Sequence, residues 1–211
     1  MMAVQCLTID PIDTTDDDVV LVSSSSDPHI RHWRISLASA IRIADEGIST
    51  PQITNRQHET SVYKLLFDLD GGDLWTASAD GTAKRLSRAR SWEAQETYTH
   101  GDYVRAVALT DEWIITAGRD ENVKVWEKAT GQLFFVYEGH FQEVTGLVVM
   151  NGGKEVISIS IDGTLRTWPL DRKELEKPAQ KKTEESQNVI KEAPLTLEEE
   201  AELAELMGDG E

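Results

Sequence analysis

A repeated spacing of four residue types constrains the fold of this chain more than any other feature of its sequence. In each of four copies, a Ser or Thr lies four residues before an Asp, and a Trp or Leu lies six residues after it. The aspartates, Asp27, Asp80, Asp120 and Asp162, are 53, 40 and 42 residues apart. A period of about 40 residues indicates a chain built from copies of one structural unit.

A histidine precedes three of the four aspartates by 20 or 22 residues. His58, His100 and His140 are each followed by apolar residues four and seven positions later. The segments between these anchors are short and rich in β-branched and aromatic residues, and Gly and Asp separate them, which is typical of strands joined by tight turns. Strands are predicted at Val62–Phe67, Leu74–Ala77, Val104–Leu109, Trp113–Ala117, Leu133–Tyr137, Val144–Met150 and Glu155–Ser160.

These motifs make the chain similar to the WD-repeat (WD40) β-propeller family over about residues 3–170. Gly139-His140 matches the Gly-His pair of that family, and Trp126 and Trp168 match its Trp, although neither is followed by the family's Asp. The resemblance implies an all-β fold: a partial WD40-type β-propeller of about four blades, each a four-stranded antiparallel sheet. We expect these blades, within residues 1–170, at about 1–35, 36–88, 89–130 and 131–170.

The resemblance also implies a hydrogen-bonded tetrad inside each blade. In the family, the Asp caps the turn between the second and third strands and orients the His, and the Ser or Thr hydroxyl bridges the His to the Trp indole N–H. By this resemblance the structural tetrads are His58, Thr76 and Asp80 with Leu86; His100, Thr116, Asp120 and Trp126; His140, Ser158, Asp162 and Trp168; and Ser23, Asp27 and Trp33, without a His. Because Leu86 has no N–H donor, we expect the second blade to lack one hydrogen bond of the tetrad and to be more flexible.

The repeats amount to about three and three-quarter blades. The segment after Trp168, residues 169–178, is charged and ends in proline, which makes it a poor fourth strand. An open arc would leave two apolar blade faces and two sheet edges uncovered. Three interpretations are open: the chain is a fragment or shortened form of a longer propeller, a partner chain or second copy completes the ring, or the chain closes as a small ring.

The first repeat is separated from the second by an insertion. The spacing from the repeat Trp to the next His is 25 residues here and 14 between the later repeats. The extra residues predict a loop at 45–56, after a fourth strand near 40–44, on the surface that carries the His residues and the Asp turns. The loop is either a tolerated surface insertion or a contact for a partner.

The residues that flank the tetrads should lie on that same surface. Tyr103 and Arg119 flank the third tetrad, and Phe141 and Ile161 flank the fourth. Exposed aromatic side chains and arginines dominate the energetics of protein interfaces, so these four residues are candidates for binding a partner. The alternative is that Tyr103 and Phe141 fold against adjacent blades.

The C-terminal region changes character. Residues 171–194 have the Lys/Glu/Gln/Ser-rich composition of a disordered linker, and residues 195–211 form an acidic tail. A capping box that begins at Thr196 predicts a short amphipathic helix over 196–207. Its apolar face would carry the candidate partner-binding residues Leu203, Leu206 and Met207. The alternative is a solvated tail that only aids solubility.

Composition excludes several classes of function. The chain has 21 Lys and Arg against 38 Asp and Glu, a formal charge of −17, so direct binding to nucleic acids or to an anionic membrane is not expected. The single cysteine, Cys6, cannot form an intrachain disulfide. The N-terminus lacks the pattern of a secretory signal, and no apolar run is long enough to span a bilayer. We therefore expect an intracellular protein, cytoplasmic or nuclear or both.

No active site is predicted. His, Ser or Thr, and Asp occur together as in a hydrolase triad, but they recur at the repeat spacing and end in a Trp, which the tetrads explain better. We expect no catalytic residues, no cofactor and no metal. The sequence predicts a non-catalytic scaffold or adaptor that binds other proteins within an intracellular complex. The alternative is a regulatory sensor fragment of a larger enzyme whose catalytic module lies outside this chain.

Overall fold

A computed structural model describes residues 3–36, 40–42, 55–68 and 70–176, almost all of them in strands and tight turns. The described strands form four antiparallel sheets, which we call blades 1 to 4 in chain order. The strands are β1 (Val4–Ile9), β2 (Asp18–Ser25), β3 (His29–Ser36), β4 (Ala40–Arg42), β5 (Asn55–Arg56), β6 (Val62–Phe67), β7 (Asp73–Ser78), β8 (Thr82–Ser87), β9 (Glu93–Thr99), β10 (Val104–Leu109), β11 (Trp113–Gly118), β12 (Val123–Glu127), β13 (Leu133–Tyr137), β14 (Val144–Met150), β15 (Glu155–Ser160) and β16 (Leu165–Pro169).

The predicted strands and the all-β class are confirmed. Blade 2 has the strand order β6-β7-β8-β9, and blade 3 has the order β10-β11-β12-β13. Each strand pairs with the next in the sequence, as expected for strands that are joined by tight turns. The sheets formed by the described residues do not close into a ring, so this part of the chain is a partial WD40-type propeller.

Blade 1 differs from the prediction at its outer edge. A fourth strand, β4, pairs with one half of β3, at Trp33–Ile35, while β5 pairs with its other half, at His29–Ile30. Asn55 and Arg56, expected to end the inserted loop, are therefore a strand. The reason is that the free edge of β3 offers unpaired backbone groups to the chain when it returns from the insertion. The rest of the predicted loop lies outside the described residues.

The two sides of each blade have different neighbours. Residues directly opposite one another in an antiparallel pair share a face, and successive residues alternate between faces. We call the side that carries the tetrad Ser or Thr the front face, and the opposite side the back face. In blade 3, Val107, Thr116 and Lys124 are opposite one another and lie on the front face.

Adjacent blades pack front to back around two buried apolar clusters. The front face of blade 2, with Leu65 and Leu74, packs against Val22 and Ile30 from the back face of blade 1. The front face of blade 3, with Val107, Leu109 and Trp126, packs in the same way against Trp75 and Ala77 from the back face of blade 2. The innermost strands β1, β6, β10 and β14 contact one another in that order. The arc therefore repeats one kind of junction.

Blade 4 has the three described strands β14, β15 and β16. After Leu170, residues 172–176 are helical, inside the segment that the composition predicts to be a linker. The chain divides into two compact units, residues 1–170 and 171–211. Leu203, Leu206 and Met207 lie outside the described residues. Among the described residues, no helix has the length and apolar character needed to cross a membrane.

Candidate interaction surface

The tetrad residues of blade 3 are joined in one hydrogen-bonded chain. The His100 ring lies 2.8 Å from Thr116 Oγ1 through one nitrogen and 2.8 Å from Asp120 Oδ1 through the other. Trp126 Nε1 donates to the same Thr116 hydroxyl at 2.7 Å. Thr116 is fully buried and His100 nearly so, so each polar group finds its partner inside the blade.

Blade 4 has the same arrangement. His140 Nδ1 lies 2.9 Å from Asp162 Oδ2, and its Nε2 lies 2.6 Å from Ser158 Oγ. Trp168 Nε1 donates to Ser158 Oγ at 2.8 Å. The chain of bonds ties the loop before β14 to the turn between β15 and β16. The top surface, by which we mean the surface formed by the His-bearing loops and the Asp turns, is anchored in this way to the blade interior.

Blades 1 and 2 contain altered tetrads. In blade 2, His58 bonds to Asp80 at 2.8 Å and to Thr76 at 2.7 Å, but Leu86 replaces the indole, and the Thr76 hydroxyl donates to the Lys84 carbonyl instead. In blade 1, Trp33 Nε1 donates to Ser23 Oγ at 2.8 Å. The carboxylate of Asp27 has no His at the repeat position and is held by Arg31 through two bonds, of 3.1 and 2.5 Å, while His29 Nδ1 lies 3.5 Å from it. Thus each described blade keeps a polar chain, although two of the four chains are incomplete.

The turn aspartates are stabilised in their charged form. Burial opposes ionisation of Asp80 and Asp120, but hydrogen bonds from His58 to Asp80, and from His100 and Lys124 to Asp120, outweigh it and hold the pKa of both carboxyls well below the usual range. A hydrogen bond from Thr164 has the largest effect in lowering the pKa of Asp162. The Arg31 hydrogen bonds lower the pKa of Asp27 to about 2. These carboxylates are acceptors for the turns and do not resemble a general acid poised near neutral pH.

The candidate residues next to the tetrads are exposed, and we refer to them together as the top patch: Tyr103, Arg119, Phe141 and Ile161. Phe141 is 76% exposed, and Ile161 and Tyr103 are also exposed. The Arg119 guanidinium lies 4.7 Å from the centre of the Tyr103 ring. Phe141 and Tyr103 are thus exposed and do not fold away against adjacent blades, as the alternative required.

The backbone beneath the top patch is fixed by the blades. Phe141 N donates to the tetrad carboxylate of Asp162 at 3.1 Å, and Ile161 N donates to the Glu143 carbonyl at 3.0 Å. In blade 3, Arg119 N donates to the Tyr103 carbonyl at 2.9 Å. The patch therefore presents apolar and cationic side chains on an ordered frame.

An interaction across three blades was not predicted from the sequence. The Arg105 guanidinium lies 4.1 Å from the centre of the Tyr63 ring of blade 2, and its Nε lies 2.8 Å from Glu143 Oε1 beside blade 4. Tyr63 and Arg105 are both five residues after their repeat His, which is the signal that could have indicated the contact.

A second cross-blade contact lies at the opposite end of the blades, between blades 1 and 2. Arg88 donates to Asp10 Oδ1 and to Asp13 Oδ2, each at 2.6 Å, and its guanidinium lies 4.6 Å from the centre of the Trp92 ring. Asp10 is fully buried. Nothing in the repeat spacing indicates this contact, because Asp10 and Asp13 lie in the loop between β1 and β2, which is longer than the corresponding loops of the other repeats.

In the described parts of the chain, no group of three or more His, Cys, Asp or Glu side chains is placed to hold a metal ion. The tetrad histidines lie in separate blades, each bonded to its own carboxylate and hydroxyl. The fold is generally a non-catalytic interaction domain.

Comparison with solved structures supports the propeller fold. The chain superposes on the WD40 β-propeller domain of Doa1 with a TM-score of 0.61 and 21% identity, covering 81% of this chain and 52% of that one. It also superposes on the computationally designed Ika4 protein with a TM-score of 0.59 and 24% identity, covering 79% of this chain and 91% of that one.

Comparison of sequences identifies relatives and a family. An uncharacterized WD repeat-containing protein of Schizosaccharomyces pombe is 34% identical over 208 residues, which are 98% of this chain and 52% of that protein. The nuclear distribution protein nudF of Emericella nidulans is 38% identical over 174 residues, which cover 75% of this chain and 38% of the relative. The chain thus spans about half or less of these relatives. The family model for the WD domain, G-beta repeat, matches residues 92–127 and 131–169. The chain is a member of the WD-repeat family.

Proposed function

We propose that this chain is a non-catalytic scaffold or adaptor subunit of an intracellular multiprotein complex, in the cytoplasm, the nucleus or both, and that it binds a partner protein through the top patch. WD40 repeat proteins generally act as protein-interaction scaffolds. The observation that carries the finer proposal is the exposure of Phe141, at 76%, on a backbone that the Asp162 tetrad carboxylate holds in place.

The composition of the top patch suits protein recognition. Aromatic side chains and arginine contribute most of the binding energy in protein interfaces, usually from a few clustered positions. Here Arg119 is stacked on Tyr103, and the Arg166 guanidinium lies 5.8 Å from the centre of the Phe141 ring. Because the tetrads fix the backbone in advance, less conformational entropy is lost when a partner binds.

The acidic tail supplies a second candidate contact. We propose that residues 196–207 fold as an amphipathic helix in a groove of a partner, with Leu203, Leu206 and Met207 as its apolar anchors. A helix of about 12 residues is marginal in water by itself, so its folding would be coupled to binding. We also propose that further blades, from a second chain or a missing segment, complete the ring.

The proposal is tested by capturing partners on the purified chain and quantifying them by mass spectrometry. Phe141→Ala and Arg119→Ala should each reduce a common set of captured proteins by about tenfold, as expected for the loss of a binding-energy hot spot. Leu133→Ala, which removes an exposed leucine from the outer strand of blade 3, is the matched control and should leave that set unchanged. An identical partner list for all four proteins would refute binding through the top patch.

A further inference from the structure

The two ends of the arc expose side chains that the repeat buries elsewhere. On the front face of blade 1, Leu7 is 57% exposed, whereas the leucine in the same position of blade 2, Leu65, is buried. On the back face of blade 4, Leu165 is 69% exposed, whereas Val123, its equivalent in blade 3, is fully buried. The exposed positions thus correspond to residues that are buried between blades elsewhere, but no described blade packs on them here.

Each uncovered surface is a cluster of apolar side chains. Leu7 and Ile9 alternate along β1, and the register places Leu21 and Trp33 on the same face. At the other end, the pairing of β14, β15 and β16 places Val148, Ile159 and Leu165 together on the back face. We call these surfaces the blade 1 end and the blade 4 end. Contiguous apolar surfaces of this kind mark protein contacts.

The two ends are the two halves of the same junction. Each apolar cluster between blades joins the back face of one blade to the front face of the next. The blade 1 end is a front face and the blade 4 end is a back face. The blade 4 end of a second copy can therefore pack on the blade 1 end of the first copy, as one blade packs on the next inside the arc. Such a contact joins two different surfaces and is heterologous.

Charge does not oppose such a contact. The named residues of both ends are uncharged. The register adds Arg31 and Arg56 to the front face of blade 1 and Glu155 to the back face of blade 4, and Arg31 is already held by Asp27 in a two-bond ion pair. Arginine at one end and glutamate at the other are of opposite sign, which favours association over repulsion.

The number of blades suits two copies. Two copies supply eight blades, which is within the range of about four to eight found in closed propellers. They also form two junctions, so that neither end of either copy stays exposed.

We infer that two copies of this chain associate head to tail into an eight-bladed ring, with the blade 4 end of each copy packed on the blade 1 end of the other. The inference deepens the proposed completion of the ring by naming the occupant. It does not depend on partner binding by the top patch, so the two proposals can fail separately.

The test is the mass of the full 211-residue chain in solution, measured by sedimentation equilibrium. The wild-type chain should have twice its chain mass of 23.6 kDa. Leu165→Asp and Leu7→Asp should each sediment as monomers, because an aspartate in an apolar junction should weaken association at least about 100-fold. Both positions are exposed within one copy, so circular dichroism should show unchanged folding. Leu133→Asp, an exposed position on neither end, is the matched control and should stay dimeric.

Mixing the two variants tests the head-to-tail arrangement. The Leu165→Asp chain keeps its blade 1 end and the Leu7→Asp chain keeps its blade 4 end, so an equimolar mixture should form a 1:1 complex through one intact junction. If Leu7→Asp alone stayed dimeric, the contact would join like ends and the inference would be wrong. A monomeric wild-type chain, or a series of ever larger species, would also overturn it.

Discussion

Leu165 and Val123 occupy the same position of successive repeats, three residues after the turn aspartate, yet Val123 is fully buried and Leu165 is mostly exposed. Both side chains lie on the back face of their blade, opposite Ala117 in one case and Ile159 in the other. Blade 3 is followed by a further blade, whose strand β14 contacts β10 and β11, whereas no described blade follows blade 4. The same repeat position is therefore part of the core in one blade and a docking surface in the next.

This contrast predicts that the same substitution has a large effect at one position and a small effect at the other. Val123→Asp buries a carboxylate without a partner and should lower the free energy of unfolding by more than about 3 kcal/mol. Leu165→Asp should change the stability of the single chain by about 0.5 kcal/mol or less. Urea unfolding of both variants, in the dissociated Leu7→Asp background, measures the difference. Similar losses at the two positions would contradict the assignment of Leu165 to an open surface.

The indole bond of the tetrad should control the stiffness of a blade. Trp126 donates to Thr116, whereas blade 2 has Leu86 in that place. Trp126→Leu removes this bond and leaves a cavity beside Tyr98, and we expect a loss of about 2–4 kcal/mol. Amide hydrogen exchange should show less protection in β8 than in β12 of the wild-type chain, and this difference should shrink in the variant. Equal protection of the two strands in the wild-type chain would count against a softer blade 2.

The turn aspartates should contribute to the loss of folding stability at low pH. Because the folded-state pKa of Asp120 is held below the unfolded value of about 3.9, its contribution to stability is complete above about pH 5 and is lost progressively as the pH falls below that value. Asp120→Asn removes this titrating group. The variant should be less stable than the wild-type chain at pH 7 but should lose less stability between pH 5 and pH 2. Parallel pH profiles of urea unfolding would contradict this account.

Arg88 should act as a clamp between blades 1 and 2. Burial opposes ionisation of Asp10, and hydrogen bonds from Arg88 and from the backbone of Asp13 and Ile12 outweigh it and lower the pKa. Arg88→Ala would leave the carboxylate buried without its cation and should cost about 3 kcal/mol at pH 7. This cost should be smaller at pH 5, because without Arg88 burial raises the pKa of Asp10 and favours its neutral form. Arg90→Ala, a neighbouring exposed arginine, is the control.

The sequence predicted the repeated parts of the fold and failed where the repeat is broken. His100, Thr116, Asp120 and Trp126 recur at fixed spacings, and such spacings result directly from strand length and turn geometry. The split edge of blade 1 could not be predicted, because the second half of its outer strand comes from the far side of an insertion. The Arg88 clamp was missed for a related reason: its partners lie 75 and 78 residues away, in a loop that is longer than the corresponding loops of the other repeats.

The position of the top patch could be predicted from the repeat, but the exposure of its side chains could not. Phe141 and Tyr103 have the same relation to their tetrads whether they fold against a neighbouring blade or point outward. The outcome depends on the packing of adjacent loops, which is a tertiary property. Arg105 illustrates the same limit, since its stacking on Tyr63 requires two blades to lie side by side.

The molar mass of the wild-type chain in dilute solution, determined by light scattering, tests the central claim that the two ends of the arc are complementary surfaces. The account predicts a single species of twice 23.6 kDa that falls to the chain mass when Leu165 is replaced by Asp. A wild-type chain that is monomeric and stable at high concentration, with Leu7 and Leu165 open to solvent, would contradict it.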